Sequence, residues 1–226
     1  MPAPTTCTSP YTCLAADADG TVRNEGQSSH ANARDASTGT GVESIALYDS
    51  SAAWYAHAKG AFHIKRSFFI FDTSGISTTV TAANLYIRGY SKNSGDVILV
   101  KSTWNGKNTL AVSDFDSLDF STPYSSEVST WLTSTSQNEI TLNAQARADM
   151  QNNNYISIAL INHTYDYSDT AGSSVEEENG CYFTEQSGTS SDPKLGYTVA
   201  AAATPDTPIT LSAGVITVKS GLITIT

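Results

Sequence analysis

The chain has 226 residues, of which 15% are charged, and its 22 acidic and 12 basic side chains give a formal net charge of −10. That length suits one large β-sandwich domain with a substantial core. The acidic balance argues against nucleic-acid binding, which needs clustered Lys and Arg, and no apolar run approaches the ~20 residues that span a bilayer. Abundant Ser, Thr, Asn, Gly and Tyr are typical of an extracellular β protein.

The N-terminal segment, residues 1–16, contains proline and no periodicity, so we predict an arm. It has neither the basic nor the apolar region of a secretory signal peptide, and we expect no such signal. Cys7 and Cys13 are spaced so that a small disulfide loop could join them, which leaves Cys181 unpaired. Three reduced thiols, as a cytoplasmic assembly would favour, are the alternative, and the sequence leaves both open.

The segment that follows is predicted to contain short strands separated by polar loops. Residues 20–23 are typical of a short first strand, and residues 33–41 are loop-like. Further strands are predicted at 42–47 and 53–58.

The two strongest strands of the chain lie on either side of a tight polar turn. In the first, Phe68 and Ile70 point to one face while Phe69 and Phe71 point to the other, so this strand should be central and covered on both faces. In the second, apolar and polar residues alternate over residues 83–90, as in a half-buried strand. The pair predicts the core of an all-β domain.

The rest of the predicted domain alternates compact strands with polar connections. Residues 104–107 contain Asn-Gly, a strong hairpin signal. Asn143 is placed to cap the one helix that the sequence predicts, residues 143–150. The other predicted elements are a strand buried on both faces at 97–101, a long connection at 114–127, strands at 138–142 and 155–162, an acidic loop at 163–179, and closing strands at 180–186 and 195–199.

The C-terminal segment differs from the domain before it. Residues 200–208 have the composition of a linker, and residues 209–226 contain three short β segments that are too few to bury a core. We therefore expect this β tail to dock, either as an extra hairpin on its own sandwich or as an anchor that adds strands to a partner subunit. The docking side chains would be Ile209, Leu211, Val215, Ile216, Val218, Leu222, Ile223 and Ile225.

One stretch of the core also resembles the signature of the DNRLRE (disaggregatase-related) β-sandwich family, R-x-x-x-x-F-D-x-S-x-I…V-T-x-A-x-L. The matching residues are Arg66, Phe71, Asp72, Ser74, Ile76, Val80, Ala83 and Leu85. Residues 183–199 are similar to the family's closing strands, so residues 17–199 would form one such domain. The resemblance implies an all-β, jelly-roll-like antiparallel β-sandwich, here with one short helix and a C-terminal β tail. Members occur as carbohydrate-binding or adhesive modules and in phage structural proteins.

Aromatic side chains in or beside loops are candidates for stacking on sugar rings, with nearby carboxylates hydrogen-bonding to hydroxyl groups. For each tryptophan alone, packing in the core or at its rim is the alternative. The candidates for glycan binding are Tyr165, Asp166, Tyr167 and Asp169 in one loop, and Trp54 and Trp104 elsewhere.

Acidic loops supply the hard oxygen ligands that suit calcium, and Asp17 with Asp19 and Glu176 with Glu178 are the candidates for a structural calcium site. Neither pair matches an EF-hand loop. The chain contains no nucleophile-elbow or phosphate-loop motif, and its acidic run is more typical of solvated surface than of catalytic carboxylates. We therefore expect no enzyme activity and no other cofactor.

Together these features predict a non-catalytic structural protein of a phage virion surface, a capsid decoration protein or a tail or fibre component, with a glycan-adhesive role. It would assemble in the host cytoplasm and contact other virion subunits, or further copies of itself, through the tail. We expect no nucleic-acid or membrane partner. The alternative is a secreted, extracellular carbohydrate-binding or adhesive module without an assembly role.

Overall fold

The computed structural model describes residues 7, 9–43, 48–106, 109–133, 137–201, 209–211, 214–219 and 222–225. It is mostly antiparallel β-sheet with short helices, so the predicted all-β sandwich is confirmed. The strands are β1 (Thr12–Ala15), β2 (Ala18–Gln27), β3 (Gly41–Glu43), β4 (Tyr48–Ala58), β5 (Ala61–Asp72), β6 (Val80–Asn93), β7 (Val97–Ser102), β8 (Leu118–Pro123), β9 (Gln137–Thr141), β10 (Tyr155–Asn162), β11 (Glu176–Tyr182), β12 (Lys194–Val199), β13 (Ile209–Leu211), β14 (Gly214–Lys219) and β15 (Leu222–Ile225). The helical segments are α1 (His30–Arg34), a 3-10 helix (Val112–Asp116), α2 (Ala144–Asn152) and a π-helical turn (His163–Tyr167).

The large sheet runs in the order β1-β12-β6-β11-β4-β5-β10-β7-β8. Strand β9 pairs with β6, and β2 pairs with both β3 and β5. Strand β2 pairs with one edge of β5 from Phe62 to Ile70. On the other edge, β4 pairs with the first part of β5 and β10 pairs with the second part. Strand β5 is therefore central, as its apolar sequence predicts.

Two separate cores lie on the two faces of β5. Phe69 and Phe71 belong to the first core, which also takes side chains from β6, β7, β9, β10, β12 and α2 and so lies between the two halves of the folded sheet. Phe68 and Ile70 belong to the second core, on the outer face of β5, β10 and β7. The alternation predicted for this strand is confirmed, since each face meets its own apolar cluster.

The helices confirm one prediction and correct another. Asn143 caps α2, because its side chain accepts a 3.0 Å hydrogen bond from the amide of Ala146. The prediction of a single helix is wrong, since α1 lies where a polar loop was expected. Its five residues are too few for a periodic signal, and Ser29 caps it while the Asn24 amide donates to two of its carbonyls.

Three stretches predicted to be irregular form strands. In the predicted arm, β1 pairs with β12; the first residues of that arm, 1–6 and 8, lie outside the described residues. The predicted connection at 114–127 contains β8, which pairs with β7. The acidic run predicted as loop lies on β11, paired with β4. Strand β1 has only four residues, β8 alternates only at its start before Pro123, and β11 begins with three glutamates, so each is defined mainly by its partner strand.

The Asn105–Gly106 pair does not form a two-residue hairpin, because β7 ends at Ser102 and its partner β8 begins only at Leu118. Gly106 has a φ of 63°, and a Cβ there would lie 2.5 Å from a side-chain carbon of Ile70. The glycine is therefore explained by the close approach of this segment to the outer face of the sheet.

The C-terminal strands form a sheet of their own. Strand β14 pairs antiparallel with β13 on one edge and with β15 on the other, and among the described residues this sheet shares no ladder with the large one. The predicted three β segments are confirmed, whereas most of the predicted linker, residues 202–208, lies outside the described residues.

A disulfide joins Cys7, which precedes β1, to Cys13, the second residue of that strand. The Cys7 sulfur lies against Gly196 of β12, where a Cβ would be 2.7 Å away. Of the two alternatives that the sequence leaves open, the structure has the bridge. Cys181 is free and fully buried in the first core.

Candidate functional site

The loop predicted to bind glycans is held down on the sheet. Asn162, at the end of β10, accepts a 2.7 Å hydrogen bond from the amide of Tyr165 and so begins the π-helical turn. The Tyr165 ring stacks on Tyr55 of β4 with centroids 4.3 Å apart. The Tyr55 hydroxyl donates to the carbonyl of Gly172 at 3.1 Å and accepts from its amide at 3.0 Å. One face of the Tyr165 ring is thus covered by the protein itself.

Asp166 is fully buried, and its carboxylate accepts hydrogen bonds from Arg66 at 2.8 Å and 2.6 Å. The other donors of Arg66 bind the carbonyls of Phe115 and Arg34 at 2.8 Å and 2.7 Å. The prediction that Asp166 contacts a sugar is wrong, because its oxygens are committed to an arginine inside the protein. The sequence pattern could not reveal this, since the partner lies 100 residues earlier.

The other predicted glycan ligands do not share one surface. Tyr167 is half-buried and stacks on His163, while the exposed Asp169 lies 3.5 Å from His30 Nδ1. Trp54 is half-buried on β4 beneath the ammonium group of Lys65. Trp104 packs edge-on against Phe68 and lies near the start of β10, whereas the Tyr165 loop follows its end.

The predicted calcium ligands are also separated. Asp17 lies beside Asp72, while Asp19 is buried and accepts hydrogen bonds from the amide and hydroxyl of Thr184, both at 3.1 Å. Glu176 and Glu178 lie on β11, in register with Ala56 and Trp54 of β4. Within the described part of the chain, no group of three or more His, Cys, Asp or Glu side chains is placed to hold a metal ion. The four predicted residues are therefore not gathered in one such group, and a structural calcium site stays a prediction.

A cavity of about 360 Å³ opens where β7 ends and β10 begins. Trp104 and Ile70 form its apolar wall, and Tyr155, with 43% of its surface exposed, lies at its rim. Asn153 and Asn154 line the same opening, and the Asn153 side-chain amide donates a 2.9 Å hydrogen bond to the Asp149 carbonyl. Of these residues only Trp104 was predicted from the sequence to be a binding residue. The signal that was missed is a tyrosine directly after an asparagine cluster at the start of a strand.

The inner side of this cavity carries a fixed polar cluster. Asp149 of α2 accepts hydrogen bonds from the Tyr124 hydroxyl at 2.5 Å, from Lys101 Nζ at 2.9 Å and from the Gln145 amide at 3.1 Å. Burial by itself would raise the pKa of Asp149, but these hydrogen bonds and the positive charge of Lys101 outweigh it and lower the pKa. Burial and the same carboxylate raise the pKa of Tyr124, so the pair consists of a neutral phenol and a carboxylate.

Ser157 forms part of the cavity lining from β10, opposite Ile70 of β5. Its side-chain oxygen is buried and has no hydrogen-bond partner among the described residues. Most buried hydroxyl groups in proteins are hydrogen-bonded, so this one is an exception that needs an explanation. The cavity thus combines aromatic walls, a charged pair and an unpartnered hydroxyl.

Among the residues that the structure describes, no helix has the length and apolar character needed to cross a membrane. No protein-family model matches the chain, and no curated protein matches it either. The resemblance to the disaggregatase-related sandwiches therefore stays a prediction that rests on the residues quoted above.

Proposed function

We propose that this protein is a non-catalytic structural subunit of a phage virion surface, part of a capsid decoration or of a tail or fibre, and that it adheres to glycans. The observation that carries the assembly role is the separate C-terminal sheet. Its strands have 3, 6 and 4 residues, which is small for independent stability. The outer edges of β13 and β15 pair with no other described strand.

Such edges are where one chain adds strands to another. Pairing with a neighbouring subunit, or with a second copy of this chain, would satisfy the backbone groups of both edges and cover the apolar residues of the tail. A sheet that is attached in sequence but not by strand pairing suits an anchor, which must reach a partner while the sandwich stays outside. The large domain would then face the surroundings.

Deletion of residues 209–226 tests the anchor. The truncated chain should keep the cooperative unfolding transition of the sandwich but lose self-association, measured by light scattering, and lose incorporation into particles, measured by mass spectrometry of purified phage. Val218→Lys should act like the deletion, because it replaces an apolar residue of the tail by a charged one. Thr217→Lys introduces the same charge at the neighbouring polar position, so it is the matched control and should assemble normally. A full-length chain that is monomeric and absent from particles contradicts the proposal.

The second candidate is a secreted carbohydrate-binding or adhesive module, and the Cys7–Cys13 bridge favours it, because such bridges persist in oxidising compartments. A free module should keep its oligomeric state and any glycan binding after the tail is deleted. Loss of assembly with retention of glycan binding supports the virion subunit, whereas no change in either property supports the free module.

A further inference from the structure

We infer that the cavity between Trp104 and Tyr155 is a binding site for one neutral sugar ring of a glycan. The inference rests on the adhesive part of the proposed function, to which it assigns a place and a ligand class. The cavity, of about 360 Å³, lies at the small end of the ~300–1,000 Å³ range of small-molecule sites. That size suits one or two rings rather than a long segment of polysaccharide.

The unpartnered Ser157 hydroxyl is the first argument for a ligand. It is buried beside Ile70, on a strand whose other outward side chains, Ala159 and Ile161, belong to an apolar core. A hydroxyl that serves packing alone would have a partner or would be replaced by an apolar group. A hydroxyl of a ligand that entered the cavity would supply the missing hydrogen bond.

The walls are the argument for a carbohydrate. A sugar ring presents C–H groups on its faces and hydroxyl groups around its edge, so it needs an aromatic surface together with fixed polar groups. Tyr155 supplies the exposed aromatic surface, Trp104, which is 5% exposed, adds an edge of its ring, and Asn153 and Asn154 line the same opening. Asp149 is already oriented by its bond to Lys101, so its remaining acceptor positions stand at a defined place on the inner side.

The charges are the argument for a neutral ring. Lys101 is the cationic side chain among the described residues that line the cavity, and its ammonium group lies 2.9 Å from the Asp149 carboxylate. The two charges compensate each other, and the whole chain has a formal net charge of −10. A uronic or sialic acid would find no uncompensated positive charge here, whereas a hexose would meet donors and acceptors without an electrostatic cost.

The test is titration of the full-length chain with the methyl glycosides of glucose, galactose, mannose and N-acetylglucosamine, and with glucuronic acid, followed by saturation-transfer NMR and tryptophan fluorescence. At least one neutral glycoside should bind saturably and at least tenfold more tightly than glucuronic acid. Tyr155→Ala should weaken it about tenfold, as expected for a lost aromatic contact. Tyr48→Ala, which removes a tyrosine of equal exposure (42%) on β4, should have no effect.

Ser157→Ala separates a ligand role from a structural one. It should weaken the bound glycoside roughly threefold to tenfold, the range of one hydrogen bond, while the melting temperature stays equal or rises. The assignment is overturned if no neutral glycoside binds, if Tyr155→Ala and Tyr48→Ala bind equally, or if Ser157→Ala leaves binding unchanged. Deletion of residues 209–226 should leave sugar binding intact, so failure of this site and failure of the assembly role give different results.

Discussion

Arg66 and Asp166 lie 100 residues apart in the sequence and form a bidentate ion pair in which neither side chain is exposed. The guanidinium also stacks on the Phe115 ring, with its central carbon 4.0 Å from the ring centroid, and binds backbone carbonyls of the 3-10 helix and of α1. One side chain of β5 therefore joins three segments that cover the outer face of the sheet. The 3-10 helix, α1 and the π-helical turn are short, so the Arg66–Asp166 pair contributes more to their positions on the sheet than their own sequences do.

Removal of one member of this pair should strongly destabilise the protein. Asp166→Leu leaves the buried guanidinium uncompensated, for which the expected loss in free energy of unfolding is about 3–5 kcal/mol. The double variant Arg66→Met/Asp166→Leu should recover part of this loss, because no unpaired charge remains. Urea unfolding measures both, and the matched control is Arg23→Met, which breaks a half-exposed pair with Glu43 and should cost about 1 kcal/mol or less. Equal losses for Asp166→Leu and Arg23→Met would contradict this account.

The elements that the sequence predicts well are those whose own pattern decides their structure. Phe68 to Phe71 are apolar on both faces, and only a strand covered on both sides satisfies that pattern. Asn143 precedes a run of helix formers, so its capping role is local. In both cases the residues that determine the local structure are close together in the sequence.

A second prediction follows from the burial of Asp19, which has 3% of its surface exposed. Burial, and then the nearby carboxylate of Glu185, raise its pKa from 3.8 to about 8 despite the hydrogen bonds from Thr184. The folded state therefore holds a proton that the unfolded chain releases between these two values. Within that window the free energy of unfolding should fall as pH rises, by up to about 1.4 kcal/mol per pH unit.

Asp19→Asn should remove this contribution, because the amide does not titrate. Relative to the unsubstituted chain, the variant should gain stability steadily from pH 5 to pH 8, as measured by urea unfolding across the series. Asp72→Asn is the control: the pKa of this exposed carboxyl is lowered by hydrogen bonds from Ser74, so it is ionised throughout this range. Parallel profiles for Asp19→Asn and the unsubstituted chain would show that burial does not hold the proton.

The features that the sequence did not predict depend on distant partners. Asp166 sits among tyrosines and next to other acids, which is typical of an exposed loop, and only the fold brings Arg66 to it. Tyr155 was assigned to a strand, but its exposure and its place beside Trp104 follow from the packing of the 104–106 segment on Ile70. The cavity is therefore a tertiary feature, formed by elements that carry no common motif.

The last prediction concerns the disulfide that links Cys7 to Cys13 within β1. This strand has four residues and pairs with β12 at the end of the sheet, so the Cys7–Cys13 link limits how far its N-terminal side can fray. Cys7→Ser/Cys13→Ser should lower the free energy of unfolding by about 2 kcal/mol, the value that loop closure gives for so short a loop, and should speed hydrogen exchange in β1. A reductant should reproduce both effects in the unsubstituted chain and change nothing in the double variant.

Before reduction the native protein should expose no thiol to a labelling reagent, because Cys181 is buried and burial raises its pKa well above the usual value. Two reactive thiols without reductant would mean that the bridge does not form.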